Sequence, residues 1–142
     1  MAFWTSLRSA KVTHDGRLLE LAGGTAFLGS YDKGGKLFIR THYEQLWAIV
    51  QQLVEAGTAR RILVTGNPGT GKSCFGLYVL MQLALAGTTV IWQRSCSGER
   101  YLFRENTVVV GKLDSFMHEL HDTTAWYVVP RSQTVCCRIS DL

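Results

Sequence analysis

The sequence predicts an α/β fold in which a parallel sheet is flanked by helices and preceded by a glycine-rich N-terminal arm. The first observation is the order of elements after residue 60, which is strand, helix, strand, helix, strand, as in parallel α/β sheets. The second is the glycine-rich segment at residues 66–73, which lies between a β-branched strand and a long apolar helix. Composition agrees, because 46% hydrophobic and 18% charged residues in a chain of 142 are typical of one globular domain.

The elements before the glycine-rich segment are an arm and a helix. Residues 1–40 are predicted as an N-terminal arm with short strands, because short apolar pieces alternate there with six of the 14 glycines. A helix is predicted over residues 42–56. Thr41 and Glu44 have the spacing of a capping box, apolar residues follow on one helical face, and Gly57 stands where a C-terminal cap belongs.

The elements after it follow from apolar periodicity and from turn residues. The predicted order is a strand at 62–65, a helix from Gly71 to Ala86, a strand at 89–93, a hairpin arm at 101–103, a strand at 108–110, a helix at 113–120 and a strand at 125–129. The longest apolar stretch, residues 74–92, contains Gln82 and a Gly-Thr-Thr turn, which indicates helix, turn and strand rather than a membrane span.

Residues 66–73 fit the phosphate-loop pattern G-x-x-x-x-G-K-[ST], known as Walker A, at every fixed position. Glycines permit positive φ and a close backbone approach, and the helix adds its free N–H groups. Lys72 can reach the β- and γ-phosphates, and the Ser73 hydroxyl can bind Mg²⁺. We therefore predict a partial P-loop NTPase fold that takes ATP or GTP with Mg²⁺. The predicted nucleotide contacts are Gly66, Asn67, Pro68, Gly69, Thr70, Gly71, Lys72, Ser73 and Cys74. The domain is expected over residues 41–129, with an atypical C-terminal tail at 130–142.

Hydrolysis usually needs a carboxylate at the C-terminal end of a neighbouring parallel strand. Here Pro130 and Arg131 follow the strand at 125–129, and neither can serve. The other acids are expected to lie elsewhere: Asp114 and Glu119 near a helix, Asp122 at the far end of the strand, and Asp141 in the tail. The catalytic residues are therefore unknown, and we expect weak hydrolysis or none.

Two other functions fit the same motif. A small P-loop kinase could clamp phosphates with Arg94, Arg100 and Arg104. A truncated interaction fragment would lack activity. In either case we expect the helix at 73–86 to leave apolar surface uncovered and to favour self-association.

Charge and cysteines bear on partners and compartment. The net charge of +4 permits nucleic-acid contact without arguing for it. Cys74, Cys96, Cys136 and Cys137 form no CxxC pair and have no histidine at zinc spacing. The N-terminus shows no apolar signal segment. We expect a reduced, intracellular (cytoplasmic) protein without membrane contact.

Several segments carry a family resemblance by their order and spacing. They are LFIR (37–40), YEQL (43–46), the loop segment 61–87, TVIW (89–92), RYLF (100–103) and WYVV (126–129). The chain, over about residues 25–129, resembles the P-loop NTPase domain of Crinkler-type proteins of oomycetes and fungi, which are related to the retrotransposon hot spot proteins of trypanosomes.

The resemblance implies an intracellular ATPase-like domain, in Crinkler-type proteins often part of a secreted effector that acts in host nuclei. It carries over to Gly66, Gly71, Lys72 and Ser73. The family pattern has an Asp where this chain has Pro130. It also has a Leu-Phe-Leu-Ala-Lys type of leader that this chain lacks. Residues 130–142 look unlike the family, so a C-terminal truncation is expected.

Overall fold

A computed structural model describes residues 2–94, 97–130 and 134–139. For residues 134–139 it describes the backbone alone. The helices are α1 (Ala2–Arg8), α2 (Thr41–Glu55), α3 (Lys72–Leu85) and α4 (Met117–Leu120). The strands are β1 (Lys11–Thr13), β2 (Leu18–Glu20), β3 (Lys36–Phe38), β4 (Arg61–Thr65), β5 (Val90–Gln93), β6 (Arg100–Arg104), β7 (Thr107–Gly111), β8 (Trp126–Pro130) and β9 (Thr134–Ile139). Cys96, Arg131 and Asp141 lie outside the described residues.

The larger sheet is mixed, so the predicted partial P-loop NTPase fold with a parallel sheet flanked by helices is wrong. Its strand order is β4-β9-β8-β5-β6-β7, and β5 with β8 is its one parallel pair among the described strands. Two features cause this difference. Strand β9 enters between β4 and β8 and runs antiparallel to both. Strands β6 and β7 return from β5 as antiparallel hairpins.

The strand pairing still defines the directions of β4, β5 and β8, which matter for the site. Because β4 and β8 are both antiparallel to β9, they point the same way, and β5 is parallel to β8. The carboxyl ends of β4, β5 and β8 therefore lie at one edge of the sheet. Two strand spacings separate β4 from β8, about 10 Å.

The first 40 residues form more than an extended arm. Helix α1 was not predicted, and β1, β2 and β3 form a separate antiparallel sheet. Trp4 anchors α1: its ring stacks on Phe103 at 4.6 Å, and its indole N–H donates to the Arg104 carbonyl at 2.6 Å. Phe3, Trp4 and Leu7 lie in the same buried cluster as α3. The N-terminal segment thus completes the main core.

Helix α3 is buried on nearly every side, contrary to the expectation that it leaves apolar surface uncovered. Helices α1 and α2 and the sheet cover it, together with β3. The main core lies on this face of the sheet and includes Val90, Trp92 and Val128. Their neighbours Ile91 and Tyr127 point to the opposite face, where Leu120 of α4 covers Ile91.

Two helix predictions need correction. Helix α2 begins at Thr41, one residue early, and its N-cap is Arg40 without a side-chain cap, so the capping box does not form. Gly57 follows the C-cap with φ of 65°, as predicted. Helix α4 covers only Met117–Leu120 rather than 113–120, because Phe116 is left-handed at φ of 64° and Ser115 accepts a bond from the Lys112 N–H in a turn.

Self-association stays a prediction, but its expected surface changes. Helix α3 is covered, whereas the two edge strands of the larger sheet carry exposed apolar side chains. Leu63 on β4 is 60% exposed, and Val110 on β7 is 57% exposed. Edge strands with apolar side chains are common sites of pairing between chains. Within the described part of the chain, the helices are too short or too polar to cross a bilayer.

Candidate phosphate-binding site

The glycine-rich segment lies where the sequence places it, between the end of β4 and the start of α3. Strand β4 ends at Thr65 and α3 begins at Lys72, with Gly71 as its N-cap. No side chain caps the helix there, and the first intrahelical bond runs from the Phe75 N–H to the Gly71 carbonyl at 2.8 Å. The first N–H groups of α3 therefore face the loop, and the positive end of the helix dipole adds to them. We call residues 66–71 the phosphate loop.

The glycines of the phosphate loop act in two ways. Gly69 and Gly71 have φ of 80° and 86°, which is the left-handed region that side chains disfavour. Gly66 is not left-handed. A Cβ there would lie 3.4 Å from Thr70 Oγ1 and 4.0 Å from Lys72 Nζ, so it would enter the inside of the loop. Gly66 thus keeps open the space beside the lysine, a reason different from the positive φ that the sequence suggested.

Lys72 is the charged centre of the loop. It is only 7% exposed, and its ammonium donates to the Gly66 carbonyl at 2.7 Å and the Asn67 carbonyl at 2.6 Å. Thr70 Oγ1 lies 3.3 Å from the same nitrogen. The Thr70 hydroxyl itself donates to the Asn67 carbonyl at 2.9 Å. The loop is therefore wrapped around a cation that already faces its interior.

Residues at the start of α2 contact the end of the phosphate loop and support it. The sequence analysis did not predict this support. The Tyr43 hydroxyl donates to the Gly71 carbonyl at 2.7 Å. A Cβ on Gly71 would lie 2.5 Å from that hydroxyl and 3.1 Å from Arg40 Nε, so both side chains lie against this residue. Arg40 is exposed and brings a second positive charge to the N-terminus of α3. The sequence pattern of residues 41–44 indicates the start of a helix and nothing about the phosphate loop.

Burial makes Tyr43 a pH-sensitive part of this support. Burial, together with the nearby Cys74, raises the pKa of Tyr43 to about 12 from an ordinary 10.0, while Arg40 lowers it. The neutral phenol is favoured in the folded state, so its stabilisation is complete below pH 10 and is lost as the pH rises towards 12.

We therefore expect the free energy of unfolding of the wild type to fall relative to Tyr43→Phe between pH 10 and pH 12. The slope can approach about 1.4 kcal/mol per pH unit. Urea denaturation of both proteins at several pH values measures it, and groups other than Tyr43 cancel in the difference. A difference that stays constant with pH contradicts this role of the phenol.

A cavity of about 210 Å³ opens beside the phosphate loop. Helix α2 lines it with His42, Tyr43 and Leu46, and β4 and α3 add Val64 and Phe75. Thr65, Gly66, Thr70, Gly71 and Lys72 also line it. No Asp or Glu is among these lining residues, so the described part of the cavity wall is apolar and positively charged.

Of the carboxylates considered above, Asp114, Glu119 and Asp122 lie away from this site, and Asp141 lies outside the described residues. Glu119 pairs with Arg104 at 2.5 Å. Asp122 precedes β8 and accepts from the Thr124 N–H and hydroxyl at 2.9 and 2.7 Å, which lowers its pKa. Asp114 lines a separate surface hollow. Pro130 ends β8 at the edge of the sheet that carries the loop.

The arginines of the kinase alternative do not converge on the loop. Arg94 pairs with Glu99 at 3.8 Å. Arg100 donates to the Ser115 carbonyl at 3.1 Å and lies over the Tyr127 ring. Strand β6 is four spacings from β4, about 19 Å, and Arg104 is at its opposite end. The Arg94 pair lies within the β5–β6 hairpin, whereas Arg100 and Arg104 join β6 to β8 and to the segment around α4.

Comparison with known proteins gives no match: no protein-family model fits the chain, and no curated protein or solved structure is significantly similar to it. The assignment of this site therefore depends on its own residues and geometry.

Proposed function

We propose that the phosphate loop binds the phosphates of a nucleoside triphosphate, ATP or GTP with Mg²⁺, and that the chain hydrolyses it weakly or not at all. The observation that carries the proposal is the Lys72 ammonium, held inside the loop by the Gly66 and Asn67 carbonyls at the N-terminus of α3. A phosphate cradle combines three elements: a cation, free N–H groups at a helix N-terminus, and glycine backbone that a phosphate can approach closely.

The electrostatics of the surroundings support an anionic ligand. Arg40 adds a charge beside Gly71, and the described residues of the cavity wall include no Asp or Glu. The whole chain carries a net charge of +4. A triphosphate has several negative charges, and charge-assisted hydrogen bonds to it are about twice as strong as neutral ones.

The residues present also fit Mg²⁺ held together with phosphates. Ser73 is exposed in the first turn of α3, next to Lys72. The described residues contain no cluster of three acidic, histidine or cysteine side chains that could bind a metal alone. In nucleotide sites Mg²⁺ keeps several waters and is usually held by one or two carboxylates together with phosphate oxygens. Here the Ser73 hydroxyl is the protein ligand that the phosphate-loop pattern offers. The metal would supply charge neutralisation between the phosphates.

Calorimetric titration with ATP and with GTP, each with Mg²⁺, tests the proposal. We expect saturable binding at one site and little heat from AMP, which lacks the β- and γ-phosphates. A ligand at a hundred times its dissociation constant should raise the free energy of unfolding by about 2.7 kcal/mol, visible as a higher melting temperature. No binding heat and no change of melting temperature with either nucleotide would refute it.

The resemblance to Crinkler-type proteins agrees with this proposal and stays a prediction. It would place the chain among intracellular ATPase-derived modules. The kinase alternative gains no support, since its arginines are engaged elsewhere. If the chain is instead an interaction fragment without activity, the titration will show no nucleotide binding.

A further inference from the structure

We infer that the 210 Å³ cavity between α2 and the phosphate loop receives the base of the bound nucleotide. This inference rests on the proposed function, because it assumes that the phosphates lie in the loop. It adds a second part to the site, built from residues at the start of α2 that lie 20 to 24 positions before Gly66 in the sequence.

The cavity and the phosphate loop share walls. Gly66 and Gly71 of the phosphate loop line the cavity, and so does Lys72, whose ammonium the loop surrounds. A molecule with one end in the loop therefore finds this recess directly beside it. Tyr43 ties the two together, because its hydroxyl binds the Gly71 carbonyl while its ring lines the cavity.

The size and chemistry of the cavity suit a base. Whole ligands usually fill about 300–1,000 Å³, so 210 Å³ has room for one planar ring system with the rest of the molecule outside. Its apolar walls are Leu46, Val64 and Phe75. The His42 ring stands at 84° to the Tyr43 ring, with centroids 5.0 Å apart. It supplies an aromatic surface and ring nitrogens at the solvent side. A base has apolar faces and polar edges, which match these walls.

A second cavity, of about 470 Å³, lies between α1 and β7. Among the described residues, its lining includes Phe3, Trp4 and Phe103 but no charged side chain and no part of the phosphate loop. It is therefore a poor place for any part of a nucleotide, and the base is assigned to the smaller cavity.

The test compares two probes, Mg·ATP and magnesium tripolyphosphate, which has the phosphates without a base. We expect the wild type to bind ATP about tenfold or more tightly than tripolyphosphate, from stacking and burial of the base. Leu46→Trp fills the cavity and should remove this advantage while leaving tripolyphosphate affinity within about twofold. Ile49→Trp, on the exposed face of the same helix, is the matched control and should bind both probes like the wild type.

His42→Ala provides a second variant if Leu46→Trp fails to fold, since His42 is exposed and its loss leaves the core intact. It should weaken ATP binding severalfold without changing tripolyphosphate binding. The inference is overturned if the wild type binds both probes equally, or if neither variant changes its preference. Absence of binding for both probes would instead refute the proposed function itself.

Discussion

Lys72→Ala is expected to lower the affinity for Mg·ATP by about a hundredfold or more. The ammonium would make at least two charge-assisted bonds to phosphate oxygens, worth about 1.5–3 kcal/mol each. Together they correspond to a factor of about 10² or more in the dissociation constant. The fold should be retained, because the Gly66 and Asn67 residues that lose this partner are exposed and can bind water instead.

Titration calorimetry on the wild type, Lys72→Ala and a control lysine variant measures this effect. Lys112→Ala is a suitable control, because Lys112 lies beyond β7 and far from the loop. Equal melting temperatures of the three proteins without nucleotide would show that the fold is unchanged. Identical ATP titration curves for the wild type and Lys72→Ala would refute the role of Lys72.

The second large effect is on turnover, which is expected to be slow even at saturating nucleotide. Loss of one group that stabilises developing charge commonly costs about 10²–10³ in rate. From a typical enzyme rate of about 10 s⁻¹, this leaves about 0.01–0.1 s⁻¹ or less. The structural reason is the end of β8, where Pro130 stands at the loop edge of the sheet and Asp122 lies at the opposite end of the strand.

Single-turnover hydrolysis with excess protein tests this, with Pro130→Asp and Pro130→Asn as a matched pair. The carboxylate should increase the rate measurably, and the neutral amide of nearly the same shape should not. The gain should remain modest, because β9 separates β8 from β4. Fast hydrolysis by the wild type that Lys72→Ala abolishes would mean that another carboxylate completes the site.

The sequence predicts the local parts of the site well, for physical reasons. Gly69, Gly71 and the start of α3 follow from a motif whose constraints lie within eight residues. Gly57 and Gly87 end their helices because left-handed φ suits glycine. The support of the loop by Arg40 and Tyr43 was missed, because it joins residues 28 or more positions apart and no local pattern encodes it.

The predicted parallel topology of the sheet is wrong, because the direction of a strand depends on long-range contacts. The sequence pattern assigns residues 134–139 to a tail, yet their backbone forms β9 in the interior of the sheet. A short run of β-branched and apolar residues can pair in either direction, and its own sequence does not show which. The sequence predicts β4, β5 and β8, whose carboxyl ends lie at the edge that carries the phosphate loop. It does not predict β9, which lies between β4 and β8.

The most direct test of the account is to locate the phosphates on the backbone by nuclear magnetic resonance. Amide ¹H–¹⁵N signals of a uniformly ¹⁵N-labelled chain are followed as Mg·ATP or magnesium tripolyphosphate is added. We expect the largest shifts at Gly69, Gly71, Lys72 and Ser73 with both ligands, because phosphate oxygens accept from these N–H groups. Shifts centred elsewhere, or no shifts at saturating ligand, would contradict the claim that residues 66–73 bind phosphate.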